Sequence, residues 1–425
     1  MKGMVERLRE RWVRLLRVSE RYLGTDMTYL TSSGLWLTIG QAGAILITLL
    51  LAIAFGHLAS QDTYGNYKYV LTIAGLLSTL SLSGLSTGIT RSAASGYDGS
   101  LVQGFRLNLR WSGPLVGVAF VAAVYYYFFQ HNIFLAASLA IIGVATPLLN
   151  GVSLYDSFLN GKKAFKKDTL YYLLENSAVT ICIVALIVLR ARAIILVSAY
   201  FAVSTAMTAF FYWRVKRSAR NADEDPELFR YSAHLSVMNV IGAIADKIDS
   251  IAIFSFLGPA QLAIYSFALA IPEQVKGALK NIVTISMPKF AARSIPEIRA
   301  TIGKRVLILA FILLIGIAAY VILVPYLFAF FFPVYVGAVP YTRVYALSLV
   351  FIACTSPFIS ILQAHKRTKE LYITTNVSSG VLVIALPLFT VLYGVWGALM
   401  TQFAYRALRM SLAAWQFWRI KDDAR

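Results

Sequence analysis

Apolar runs of about twenty residues recur along this chain, and a run of that length is what a helix needs to cross the hydrocarbon core of a bilayer. Twelve can be read: 35–56, 69–90, 111–130, 134–158, 171–189, 193–213, 231–256, 263–286, 304–326, 341–363, 371–391 and 395–418. The connections between them differ in charge. Thirty lysines and arginines fall on the amino-terminal arm, on alternate connections around Arg91–Arg110, Lys162–Lys167, Arg214–Arg230, Lys289–Arg305 and Lys366–Lys369, and on the carboxy terminus. The opposite side holds only Lys68, Arg190, Arg192 and Arg343. This bias predicts an all-α, multi-pass membrane protein with both termini in the cytoplasm.

Composition agrees, since 58% of residues are hydrophobic and only 14% charged, well below the charged fraction of soluble domains. The net charge of +19 would suggest a nucleic-acid partner in a soluble chain. Here cytoplasmic loops facing anionic lipid headgroups account for it, and no nucleic acid is expected. Cys182 and Cys354 lie inside apolar runs, and His57, His131, His234 and His365 are scattered singly. No disulfide framework, metal spacing or cofactor motif follows. Residues 1–30 form a basic arm in which Val5, Leu8, Trp12, Leu15, Leu16 and Leu23 recur at helical spacing among arginines. That pattern predicts an amphipathic helix lying on the membrane lipids of the inner leaflet, with no secretory-signal pattern. Every connection is too short for a soluble catalytic domain, so an enzyme is not expected.

The longest connection, 214–230, divides the runs into two sets of six, 31–213 and 231–425. A shift of 198 residues lays Tyr67 on Tyr265 and Thr90-Arg91 on Pro288-Lys289 without a gap. Two six-helix halves of equal orientation imply a pseudo-twofold axis along the membrane normal, with a substrate site between them. The second half carries Ile244-Ala245-Asp246-Lys247-Ile248-Asp249, then Phe256-Leu257-Gly258-Pro259, Leu262-Ala263-Ile264-Tyr265 and Met287-Pro288-Lys289. These stretches, with Ser60–Tyr67, Phe332–Tyr335 and Tyr393–Ala398, resemble the polysaccharide and O-antigen (Wzx-type) flippases of the multidrug/oligosaccharidyl-lipid/polysaccharide (MOP) exporter superfamily. The resemblance implies a transporter that moves a polyprenyl-diphosphate-linked oligosaccharide across the cytoplasmic membrane by alternating access, with polysaccharide assembly proteins as further partners. Lipid II flippases generally have fourteen helices; twelve favours the polysaccharide branch.

An ionisable residue within a span costs about 2.5–3.5 kcal/mol on insertion scales and marks a functional position by default. The seventh span carries Ser232, Ser236, Asn239, Asp246 and Ser250 on one stripe, with Lys247 and Asp249 beside it. In the eighth, Glu273, Lys276, Lys280 and Thr284 share a face. The turn at Gly258 sets Asp246 level with Glu273, so Asp246 to Lys276 or Lys247 to Glu273 is within reach, and Glu273 to Lys276 can also pair within one helix. Such pairs serve either to pin two helices or to line a cavity. The substrate-binding residues expected are Lys276 and Lys280 for phosphate, Arg91, and Gln41 and Asn239 for sugar. Asp246, Asp249, Lys247, Glu273 and Glu175 are expected in coupling or gating.

Three other functions remain open on the sequence. A multidrug or cation antiporter of the same superfamily would require unpaired carboxylates along its cavity. A membrane sugar polymerase or ligase is disfavoured by the short outward loops, and a scaffold for assembly factors would leave the embedded charges as an unexplained cost.

Overall fold

The computed structural model describes residues 27–291, 295–365 and 367–420. The expected amphipathic arm therefore lies outside the described residues, apart from its last four. Fifteen α-helices follow one another, with no strand among the described residues. This is the outcome hydrocarbon imposes, because a helix satisfies its own backbone polar groups. The amino-terminal set is α1 (Met27–Leu58), α2 (Gln61–Leu77), α3 (Leu85–Ala94), α4 (Ser100–Trp111), α5 (Gly113–Phe128), α6 (Ile133–Val152), α7 (Leu154–Gly161), α8 (Phe165–Val188) and α9 (Ala193–Lys216). After the linker come α10 (Leu228–Ala245), α11 (Ile248–Leu257), α12 (Pro259–Ala291), α13 (Ile295–Phe331), α14 (Val339–Ala364) and α15 (Thr368–Arg419). Among the described residues, eight helical stretches are long and apolar enough to cross a membrane, and a ninth is the pair α2 and α3, bent by 61°.

The expected spans differ from the observed helices mainly at breaks and ends. The second span begins at Gln61, eight residues before the apolar run, because Ser60 caps the helix by accepting from the Thr63 N–H at 3.2 Å. Lys68 thus lies inside a helix and not in a connection. Between α2 and α3 the hydroxyls of Ser78, Thr79 and Ser81 donate to the carbonyls of Ala74, Leu76 and Ser78 at 2.6–2.8 Å. Side-chain donors thereby answer backbone acceptors at the bend. The seventh span is likewise split, at Asp246-Lys247, into α10 and α11. Gly394, at φ 61°, divides α15 into the two stretches read as the eleventh and twelfth spans.

The two sets of helices meet at both ends of the bundle. Away from the basic loops, a side chain at Gly65 would place its Cβ 1.9 Å from the Pro259 carbonyl oxygen, so only glycine allows α2 to approach the start of α12 this closely. Gln61 Nε2 donates to the Val334 carbonyl at 3.0 Å beside it. Below this contact Phe55, Tyr64 and Tyr67 pack with Phe267, Phe332 and Tyr335, sealing that end with aromatic rings.

At the basic end the linker is strapped onto the amino-terminal set. Gln103 donates to the Asp225 carbonyl at 2.9 Å and accepts from its N–H at 3.1 Å, while Ser92 donates to the Asp225 carboxylate at 2.5 Å. Asp98 is buried and binds the Arg220 N–H at 2.7 Å as well as Lys162. Burial opposes its charge, but Lys162 and the Arg220 N–H outweigh burial and hold its carboxyl below the usual carboxylate range. Its contribution is therefore present at neutral pH and is lost as pH falls below the usual carboxylate range and through that lowered value.

Directly after the linker, α10 packs on α3. Ser236 Oγ accepts from the Gly84 N–H at 2.8 Å, and a Cβ at Gly88 would lie 3.7 Å from the Ser232 Cβ. That separation suits a disulfide. With Cys182 and Cys354 replaced, Gly88→Cys combined with Ser232→Cys is expected to lose both free thiols on mild oxidation. Two thiols that stay fully titratable in a folded double variant would contradict this packing.

Candidate functional site

Ionisable side chains converge where α2 faces α11 and α12. Lys247 stands at the break in the seventh span, and its Cε reaches across to α2, 3.6 Å from where a Cβ on Gly75 would be. Lys68 on α2 lies within electrostatic reach of Lys247, Asp249 and Glu273. Among the described residues neither lysine forms an ion pair.

Both carboxylates are instead tied to the carboxy-terminal helices. Asp249 is 8% exposed and accepts from the Tyr265 hydroxyl at 2.8 Å, the Gln402 amide at 3.4 Å and the Ser250 N–H at 2.6 Å. Glu273 pairs with Lys276 at 3.1 Å, accepts from the Tyr345 hydroxyl, and lies 3.7 Å from Arg406 Nη2. Arg406, buried on the last stretch of α15, donates to Tyr345 and to Ser348. The cluster of Lys68, Lys247, Lys276 and Arg406 against Asp249 and Glu273 therefore has two more cations than carboxylates. An environment of this kind, low in dielectric and cationic on balance, attracts an anion.

A second polar region lies within the amino-terminal set. A cavity of about 400 Å³ opens among α1, α7 and α8, lined by Gln41, Tyr155, Asp156, Asp168, Tyr172 and Glu175 together with smaller groups. Tyr155 donates to Glu175 at 3.3 Å, Asn160 to Asp168 at 3.1 Å and Ser157 to Asp156 at 3.0 Å. None of the three carboxylates has an ion-pair partner among the described residues. Among the described residues no group of three or more His, Cys, Asp and Glu side chains could hold a metal ion.

The residues singled out from sequence are thus distributed over several places. Asp249, Lys247, Glu273 and Lys276 share the central cluster. Gln41 and Glu175 share the amino-terminal cavity instead. Arg91 lies at the basic end, paired with Glu227 at 3.1 Å and set over the Tyr231 ring at 4.8 Å, where it helps hold the linker. Asp246 is exposed at the end of α10; Lys276 pairs with Glu273 on its own helix and not with Asp246, because the break after Ala245 turns Asp246 out of the stripe. The side chains of Asn239 and Lys280 lie outside the described residues. Lys68, Tyr265, Tyr345, Gln402 and Arg406 were missed, as were Asp156 and Asp168. Arg406 had a signal, an arginine within an apolar run.

These placements separate two neighbouring aspartates by role. Asp249→Leu leaves the Tyr265 hydroxyl and the Gln402 amide without their acceptor and is expected to cost about 3 kcal/mol. Asp246→Asn is expected to change stability by no more than about 0.5 kcal/mol. Thermal unfolding of the detergent-purified variants measures both, and greater damage from Asp246→Asn would contradict the placement.

Residues 30–293 match the family profile described as polysaccharide biosynthesis protein. Among solved structures, the lipid II flippase MurJ in an inward closed conformation aligns with a TM-score of 0.66 at 12% identity, covering 91% of this chain and 87% of its own. An inward-facing multidrug resistance MATE transporter of the MOP superfamily aligns at 0.64 and 15% identity, over 92% and 100%. A MOP superfamily transporter from Pyrococcus furiosus, described by the reversed polarity of its binding pocket, aligns at 0.58 and 13%, over 92% and 94%. At these identities the likeness is one of fold. No curated protein matches the chain by sequence.

Proposed function

The chain belongs to the polysaccharide biosynthesis protein family, and from that premise we propose that it is a flippase for a lipid-linked oligosaccharide, carrying a polyprenyl-diphosphate-linked sugar from the inner to the outer leaflet of the cytoplasmic membrane. The observation that supports this most is Lys247, reaching across to α2 within electrostatic range of Lys68, with neither lysine in an ion pair among the described residues. A diphosphate cannot enter a low-dielectric slab unless its charge is answered. At an effective dielectric near 20, one cation about 4 Å away contributes roughly 4 kcal/mol before desolvation is subtracted. Lys276, half exposed beside Glu273, adds a further cation on α12.

In this reading the helices make twelve spans in two six-helix halves, 31–213 and 231–425, joined by the linker 214–230. The basic end and both termini face the cytoplasm, and the protein transports without catalysing a reaction. The aromatic seal around Phe267 is then the outer gate, and alternating access requires it to part. Gln41 in the amino-terminal cavity serves the sugar, and Glu175 beside it serves coupling.

One observation favours a second reading, a multidrug or cation antiporter. Asp156, Asp168 and Glu175 line their cavity without an ion-pair partner among the described residues, and such a cavity suits a cation. Surface-glycan export in a strain lacking its own flippase separates the two. Lys68→Gln with Lys247→Gln is expected to reduce export at least about tenfold, the loss of roughly 1.4 kcal/mol of transition-state or binding free energy, at unchanged protein level. Full export by that variant, together with resistance to organic cations lost in Asp156→Asn with Glu175→Gln, would favour the antiporter.

A further inference from the structure

We infer that the Tyr335 hydroxyl is a bias toward opening built into the aromatic seal. Enclosed without a hydrogen-bond partner while the seal is closed, it makes that state less stable than the rings alone would, and it gains water as a partner when the two sets of helices part. The inference rests on the outer-gate reading of the seal and adds to it what keeps the gate from locking shut.

Tyr335 sits in a short helical turn, Pro333–Ala338, that joins α13 to α14. Its N–H donates to the Phe332 carbonyl at 2.8 Å, and Gln61 of α2 donates to the Val334 carbonyl at 3.0 Å, so the backbone of the turn is held from both sets of helices. Val334 and Val336 are exposed, whereas Tyr335 is fully buried. The turn therefore drives a single ring into the end of the bundle. That ring stacks on Phe267 of its own set at 3.8 Å and meets Tyr64 of the other set edge-on at 6.3 Å. It thus lies across the surface that has to part.

The hydroxyl on this ring has no hydrogen-bond partner among the described residues. Other enclosed tyrosines are provided for: Tyr265 and Tyr345 donate to Asp249 and Glu273, and Tyr320 shares a hydrogen bond with Thr342 at 2.7 Å. No second tyrosine hydroxyl among the described residues is both buried and unpartnered. A hydroxyl stripped of water with nothing in exchange is a cost to the state that encloses it. Separation of Tyr64 from Tyr335 lets water reach the group, so the cost falls on the closed seal alone. Phenylalanine would fill the same space and keep the stack on Phe267 without that cost. The other contacts at this end, Gly65 against Pro259, Gln61 on Val334 and the packed rings, all favour closure. A gate that cycles needs an opposing contribution, or one state holds nearly the whole population.

Cysteine reactivity reads the gate. In the full-length protein with Cys182 and Cys354 replaced, Ala263→Cys places a reporter one turn from Phe267 on α12, within the buried packing of the seal. Ser232→Cys places a second at the basic end, where Ser232 is equally enclosed. With a water-soluble maleimide on the detergent-purified protein, the labelling rate of each reporter follows the fraction of time its end is open. Tyr335→Phe is expected to slow labelling at position 263 about tenfold, a shift of roughly 1.4 kcal/mol toward the closed seal, and to leave the rate at position 232 unchanged or higher. Unchanged or faster labelling at 263 overturns the inference. Equal slowing at both ends overturns it too, since that marks a general tightening of the fold. Should Ala263→Cys fail to fold, Ala338→Cys, fully buried at the end of the same turn, takes its place under the same criteria. A seal cysteine that never reacts in the otherwise wild-type protein would instead overturn the outer-gate reading.

Discussion

A charge placed inside a hydrocarbon slab must be answered by an opposite charge, by hydrogen-bond donors or acceptors, or by water. The centre of this protein is organised by that requirement. Two carboxylates are each supplied with donors from their own side, Asp249 by Tyr265 and Gln402, Glu273 by Tyr345 and Arg406. Lys68 from one set and Lys247 from the other lie within electrostatic range of each other, and neither forms an ion pair among the described residues. The tyrosine hydroxyls thus answer part of the carboxylate charge that the lysines do not.

That arrangement needs the helices around it to be interrupted. Lys247 points at α2 because the seventh span breaks at Asp246-Lys247, and α3 meets α10 because the second span bends by 61° at a serine-rich turn. The breaks are tolerated in an apolar environment because hydroxyls of Ser78, Thr79 and Ser81 take over the backbone acceptors. Close approach at Gly65 and Gly88 and the strap around Asp225 then hold the two sets of helices together at both ends. Contact made by glycine surfaces and aromatic rings, with few ion pairs between the sets among the described residues, is of the kind that can part and re-form.

Much of this was legible in the sequence, and the reason is physical. Length and hydropathy mark the helices, since nothing but a self-satisfied backbone crosses a bilayer, and Asp249, Lys247 and Glu273 stood out as ionisable groups inside apolar runs. The breaks were not legible, because a hydropathy run continues unchanged through a bend such as that at Ser78–Gly84. Asp246 was read into the stripe by extending helical periodicity across a break. Lys68 was assigned to a connection because its helix starts at Gln61 within a polar stretch, where the Ser60 cap outweighs composition. Tyr265, Tyr345 and Gln402 carry no charge and so gave no signal as the partners of buried carboxylates; only the fold brings together residues separated by as many as 153 positions.

Passage of an anion-bearing lipid between the two sets of helices, as proposed above, is open to direct measurement. Its most direct measurement uses the purified protein in liposomes that contain a fluorescent polyprenyl-diphosphate-linked sugar, with an impermeant reductant added outside. The account predicts that the label on the inner leaflet becomes accessible with time in the presence of the wild-type protein, and that replacing Lys68 and Lys247 by glutamine returns it to the level of protein-free vesicles. Inner-leaflet label that stays protected with the wild type, or equal exposure by wild type and lysine variant, would contradict it.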